Sequence, residues 1–175
     1  MTEYQWGQAE RIEGWLGKQE AAFLFSLVDG PWCEVGCYKG RSTVVLAQTK
    51  HPGWAVDHFK GSPEMPDGTD TFDEFMANIG PYTNVTVMPY KMRGAAALIP
   101  DDLRFVFLDA DHSYEETFQA FQLYAPKVES GGHVAFHDAK GGGWPGVEEF
   151  VQELRGNRGW RELPAVEMTV AFQKR

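Results

Sequence analysis

Apolar residues recur through the first 27 positions at gaps of one, three and four: Trp6, Ile12, Trp15, Leu16, Phe23, Leu24 and Leu27. That spacing predicts one or two amphipathic helices over 3–27, ended by Asp29-Gly30-Pro31. Beyond it the pattern changes to short apolar runs. Trp32–Val35, Trp54–Val56, Asn84–Met88, Phe105–Leu108 and His133–Phe136 read as strands. Helical spacing returns between them at 42–48, 72–79, 92–98, 113–128 and 147–154. Asp70 or Thr71 is placed to cap the second of these helices. Turns are expected at His51-Pro52-Gly53 and Ser130-Gly131-Gly132, with long loops at 59–71 and 140–146. Arg161–Leu163 and Met168–Phe172 can pair as a closing antiparallel hairpin.

Strand and helix alternate almost throughout, so the expected class is α/β and Rossmann-like: a mostly parallel central sheet, helices on both faces, and a C-terminal antiparallel hairpin. The chain shows no repeats. It reads as one domain over 1–175, with an N-terminal helical segment (1–29), a cofactor-binding core (30–155) and the hairpin (156–175). In such sheets ligands sit at the carboxyl ends of the strands, so the chemistry is sought there.

Composition narrows the partners. The chain is 43% hydrophobic and 14% aromatic, ample for a core, and its net charge of −9 argues against a general nucleic-acid or anionic-membrane binder. Arg155, Arg158 and Arg161 read as a solvated rim. Cys33 and Cys37 are too few for a disulfide framework or a four-cysteine zinc site and read as reduced thiols. With a polar N-terminus and no apolar run of membrane-spanning length, a cytoplasmic location is expected.

The first strand runs into Glu34-Val35-Gly36-Cys37-Tyr38-Lys39-Gly40-Arg41-Ser42. Gly36 and Gly40 permit a sharp turn and close approach of a ligand to backbone. Asp57 ends the second strand, where a carboxylate can accept from the two hydroxyls of a ribose. The loop fails the dinucleotide pattern, because the required glycines fall on Tyr38 and Arg41. A carboxylate at Glu34 also suits a cationic ligand better than a pyrophosphate, and the ATP-binding Lys-Ser/Thr signature is absent.

The segments EVGCYKGRSTVVLA, AVDHFKGS, FVFLDADHSYEET and ESGGHVAFHDA, in this order, resemble the class I S-adenosylmethionine-dependent methyltransferases. They are most similar to small-molecule and sugar O-methyltransferases with a D-x-D-H-S-Y segment. The resemblance covers about residues 30–155. It implies S-adenosylmethionine as methyl donor, with Glu34 and Gly36 beside its amino group, Gly40 and Ser42 lining the loop, Asp57 on the ribose, and His58 and Phe59 flanking the adenosine. Tyr38 stands where many members have a third glycine, and Met88-Pro89-Tyr90-Lys91 stands where members often place an adenine contact. Asp109 is counted with the donor-binding set.

Asp109, Asp111 and His112 follow the fourth strand, and His137-Asp138 ends the fifth, so adjacent parallel strands bring them to one rim. Carboxylates with imidazole make either a metal site or an acid/base cluster. The metal-dependent O-methyltransferases that the chain resembles have ligands matching Asp109, His137 and Asp138, which implies magnesium, with Asp111 assisting. They usually show Asp then Asp-Asn, so His137 is a departure. His112 is the first candidate for a general base and His137 the second. The glycine-rich stretch around Trp144 reads either as a flap over the substrate or as a plain connector.

The expected activity is methylation of a small-molecule or sugar hydroxyl. A non-catalytic nucleoside-binding protein and a nicotinamide-dependent oxidoreductase remain open beside it. The expected partners are a small-molecule acceptor, neither nucleic acid nor membrane, and a second copy of the chain if one completes the substrate side.

Overall fold

The structure is a computed structural model and describes residues 4–175 apart from 63, 64, 67 and 142. The expected loops at 59–71 and 140–146 each include positions outside the described residues, as does the start of the expected helix at 3.

Seven strands form one sheet. β1 (Trp32–Val35) pairs in parallel with β2 (Gly53–Val56) on one side and β4 (Leu103–Leu108) on the other. β3 (Val85–Met88) continues the parallel sheet beyond β2, and β5 (Val128–Phe136) continues it beyond β4. β7 (Val170–Lys174) then runs antiparallel to β5, and β6 (Trp160–Glu162) antiparallel to β7. The order is β3-β2-β1-β4-β5-β7-β6. This is the expected mostly parallel sheet with its terminal hairpin. The chain reverses its direction of travel across the sheet between β1 and β4, which opens a crevice at their carboxyl ends.

The central strands are largely apolar on both faces, Glu34 of β1 being an exception, because helices cover both. In β1, Cys33 and Val35 face the layer of α6 (Tyr114–Tyr124) and α7 (Pro145–Leu154). Trp32 faces α2 (Lys18–Leu27), α3 (Arg41–Ala47) and α4 (Phe72–Ile79). β4 repeats the division, with Val106 and Leu108 in the first core and Phe105 and Phe107 in the second. Strands buried on both faces lose the polar alternation of half-exposed strands.

The N-terminal segment, expected as one or two helices over 3–27, holds two, α1 (Trp6–Ala9) and α2, joined by an irregular strap at 10–17 with Gly14 and Gly17 in it. Two expectations are corrected. The helix expected at 113–128 stops at Tyr124 and tightens into a 3-10 turn at Ala125–Lys127, since Pro126 has no N–H to continue it. Ser130–Gly132 is not a turn between elements. It lies within β5, which advances from Val128 to His133 while β4 advances only from Leu103 to Phe105. A short α5 (Met92–Ala95) precedes β4. Among the described residues no helix is long and apolar enough to cross a membrane.

Candidate active site

A cavity of about 900 Å³ opens at the carboxyl ends of β1, β2, β4 and β5, within the range of small-molecule pockets. Gly36, directly after β1, forms part of its floor. Its φ is +89°, and a Cβ there would lie 2.0 Å from the Asp109 carbonyl oxygen, so only glycine lets the loop cross the end of β4. Gly40 has φ +92° and starts α3, but does not line the cavity. Between them Tyr38 holds φ +47° without being glycine.

Asp57 organises this turn. Its Oδ2 accepts from the amides of Cys37 (2.7 Å) and Tyr38 (2.9 Å), and its Oδ1 accepts from Phe59 N (2.7 Å). The carboxylate therefore fastens the loop while still bordering the cavity. Tyr38, Ser42, His58 and Asp109 also border it. Glu34 does not: it is fully buried behind the loop, where it accepts from Thr43 Oγ1. Burial pushes its pKa up to about 8, and its Oε1 has no hydrogen-bond partner. The place expected for Glu34, beside the donor's amino group, is thus corrected: its side chain lies on the inner face of β1 and does not line the cavity. Phe59 is likewise buried, packed against Phe72 and Phe75 rather than turned to the cavity.

The far wall carries the second cluster. His112, after β4, stacks on Trp144 with ring centroids 4.1 Å apart, and its Nε2 lies 3.3 Å from Asp138 Oδ2. His137, at the end of β5, is 3% exposed. Its Nδ1 is 3.0 Å from Asp138 Oδ2 and 3.4 Å from Asp109 Oδ1. Its Nε2 lies 3.5 Å from Glu20 Oε1. Asp111 also lines the cavity but is outside the histidine cluster, with Oδ1 accepting from Ser113 N (2.8 Å) at the start of α6.

A methyltransferase-domain family model matches residues 33–139, the stretch from β1 through the end of β5. The chain belongs to the methyltransferase-domain family. Its fold is shared by the O-methyltransferase NovP (TM-score 0.75, 18% identity, 90% of this chain and 80% of that one). An O-methyltransferase from Bacillus cereus, in complex with SAH, is similar over 97% of this chain and 87% of that one (TM-score 0.69, 15% identity). Among curated proteins, the uncharacterized protein R132 of Acanthamoeba polyphaga mimivirus is 28% identical over 65 residues, 34% of this chain. The match spans 29% of the length of that viral protein.

In this methyltransferase domain the expected magnesium does not fit its donors. Asp109, His137 and Asp138 stand close enough to share one ion, their ligand atoms lying within 4.8 Å of one another. Yet magnesium demands oxygen ligands in near-octahedral array, and the central donor here is a ring nitrogen already facing two carboxylates. No chemical step is assigned to a metal.

The site also contains residues from the N-terminal strap. Glu13, Gly14, Trp15 and Leu16 line the cavity. Arg41 ties the strap down: Nε donates to Ile12 O (2.6 Å), Nη1 to Leu16 O (3.1 Å) and Nη2 to Glu10 O (3.5 Å). Tyr38 Oη donates to Glu13 (2.9 Å), and Lys39 pairs with Glu13 (2.8 Å). Trp15, read above as part of a buried helical face, is 66% exposed and tilts over Tyr38 at 5.2 Å. The sequence carries a signal for Glu20, which stands three residues after Gly17 as half of a capping box and accepts from Gly17 N (3.0 Å). Nothing in the spacing shows that its other oxygen reaches His137.

Proposed function

We propose that the chain transfers a methyl group from S-adenosylmethionine to a hydroxyl of a small molecule. The observation that carries the reading is the Gly36 turn, fastened by Asp57 and facing a deep cavity at the β1/β4 crevice. With no room for a Cβ at Gly36 the loop crosses tightly over the end of β4 and borders the cavity, and the carboxylate at the end of β2 retains lone pairs for ribose hydroxyls. When bound, the donor supplies an electrophilic methyl on a sulfonium centre. Gly36, Tyr38, Ser42, Asp57, His58 and Asp109 would hold it.

The acceptor side follows from the His112–Asp138 pair. An acceptor hydroxyl must lose its proton as the methyl arrives, and a positioned imidazole takes it. Asp138 orients the His112 ring and stabilises the imidazolium that forms, the role a carboxylate plays behind any histidine base. Trp144, stacked on that ring, covers it from solvent.

Thermal shift with S-adenosylhomocysteine, NAD and ATP tests the donor half of this reading. A rise in Tm with the first alone is expected, and a rise with NAD alone overturns the reading. Radiolabelled donor incubated with pooled phenols, sugars and amines tests the acceptor half. His112→Ala is expected to keep donor affinity and lower turnover about 100-fold; wild-type turnover in that variant would remove His112 from the mechanism.

A further inference from the structure

Three acids from three elements close on one buried ring. Glu20 comes from α2, Asp109 from the end of β4 and Asp138 from the segment after β5. Glu20 is 1% exposed and is held as a carboxylate by donors on both oxygens. Oε2 accepts from Gly17 N; Oε1 accepts from Thr169 Oγ1 (2.8 Å) and Met168 N (3.2 Å). Asp138 faces two imidazoles, His112 and His137. Glu20 is fully buried, Asp138 nearly so and Asp109 half-buried, and carboxylates so placed around one ring repel one another unless a cation lies between them.

A neutral imidazole has one N–H and one lone pair. His137 presents one nitrogen to Glu20 and the other to Asp138 and Asp109, so a lone pair at either nitrogen would point at an ionised oxygen. The Nε2–Glu20 approach is a 3.5 Å charge contact without hydrogen-bond geometry, and Nδ1 is hydrogen-bonded to Asp138; a proton on each nitrogen is the state that turns no lone pair toward a carboxylate. A ligand nitrogen for a metal must instead offer its lone pair; Nδ1, set between Asp109 and Asp138, is the one nitrogen placed to do so, and the test below separates that state from the protonated one.

We infer that the imidazolium of His137 is itself the cation that holds Glu20, Asp109 and Asp138 together, so that this rim needs no divalent metal ion. Glu20 is then a positioning residue of the site although it belongs to the N-terminal helix. Burial alone opposes charge on His137, and the Asp109 charge with the contacts to Asp109, Asp138 and Glu20 outweighs it, holding the ring's pKa far above its ordinary value. The inference stands apart from the reading of the chain as a methyl-transfer enzyme, since each readout below is made without turnover.

The test uses the full chain, stripped with chelator, and Mn²⁺ as probe. Wild type should leave the sharp aquo-ion EPR signal intact at equimolar Mn²⁺. His137→Asp exchanges the cation for an oxygen donor; it should quench that signal and gain several degrees in Tm with Mn²⁺ or Mg²⁺. Nitrogen NMR of histidine-labelled wild type should show protons on both His137 nitrogens at neutral pH and into the mildly alkaline range. That measurement decides the matter if the His137→Asp chain does not fold. The inference is overturned if wild type binds one Mn²⁺ per chain and Asp109→Asn abolishes it, or if a His137 nitrogen lacks its proton. It is equally overturned if a folded His137→Asp chain ignores both ions, because the three acids would then need no cation.

Discussion

Asp57 does two tasks with one carboxylate, and they can be separated. Its three amide contacts fasten the loop in the absence of any ligand. Hydrogen bonds to a charged group are worth about 1.5–3 kcal/mol each, so Asp57→Ala should lower Tm clearly, measured with no donor present. Asp57→Asn retains the shape but loses the charge, and should weaken S-adenosylhomocysteine binding about 10-fold by calorimetry; an unchanged Kd would take Asp57 off the ribose. Glu34 makes a pH prediction. Its carboxyl titrates ordinarily at 4.5, and burial raises it in the fold to about 8. Between those values the unfolded chain releases a proton that the folded chain keeps, so stability falls as pH rises through this window and levels off above it. Glu34→Gln imitates the protonated form. Its Tm should drop less than that of wild type between pH 6 and 9; parallel curves would show that Glu34 is ionised throughout.

At the scale of elements, the strap at 10–17 depends on the Arg41 guanidinium, which meets three of its carbonyls at once. Lysine has no planar fork to do this. Arg41→Lys should therefore loosen the strap while α3 persists: faster amide exchange at 10–16, seen by mass spectrometry, with little change in β1. Equal protection in both chains would mean that the Glu13 contacts suffice. The strap also marks where reading the sequence fails. Strands, crossover helices and hairpin were legible because burial on both faces forces apolar runs, and Pro and Gly punctuate them. The strap was not, because the same apolar spacing serves a helix face and an exposed rim. Trp15 belongs to the second, and only a partner across the chain, Tyr38, distinguishes the two. The bulge in β5 was hidden for a related reason: Ser130-Gly131-Gly132 is turn chemistry by composition, and only the pairing with β4 keeps it in the sheet.

Over the whole molecule, the candidate site is assembled from every third of the sequence. The parts that lie just after strands were legible: the Gly36 turn, Asp57, Asp109, His112 and the His137-Asp138 pair all fall where a parallel sheet delivers its chemistry. Glu34 and Phe59 were assigned to the ligand from their position in the motif, but strand alternation and loop packing turn both side chains inward. Glu20 was out of reach, since it meets Thr169 across 149 positions. That long contact has a consequence for how the chain comes into being. β7 follows β6 in the sequence, yet it is inserted between β5 and β6. Until it emerges, β5 has an open edge and Glu20 lacks the hydroxyl that helps to hold it. The donor turn, whose contacts are made within residues 34–109, can be in place on the ribosome well before then. The opposite wall of the cavity waits for β7, so the turn after β1 can be set while the wall that carries the two histidines is still open along the β5 edge.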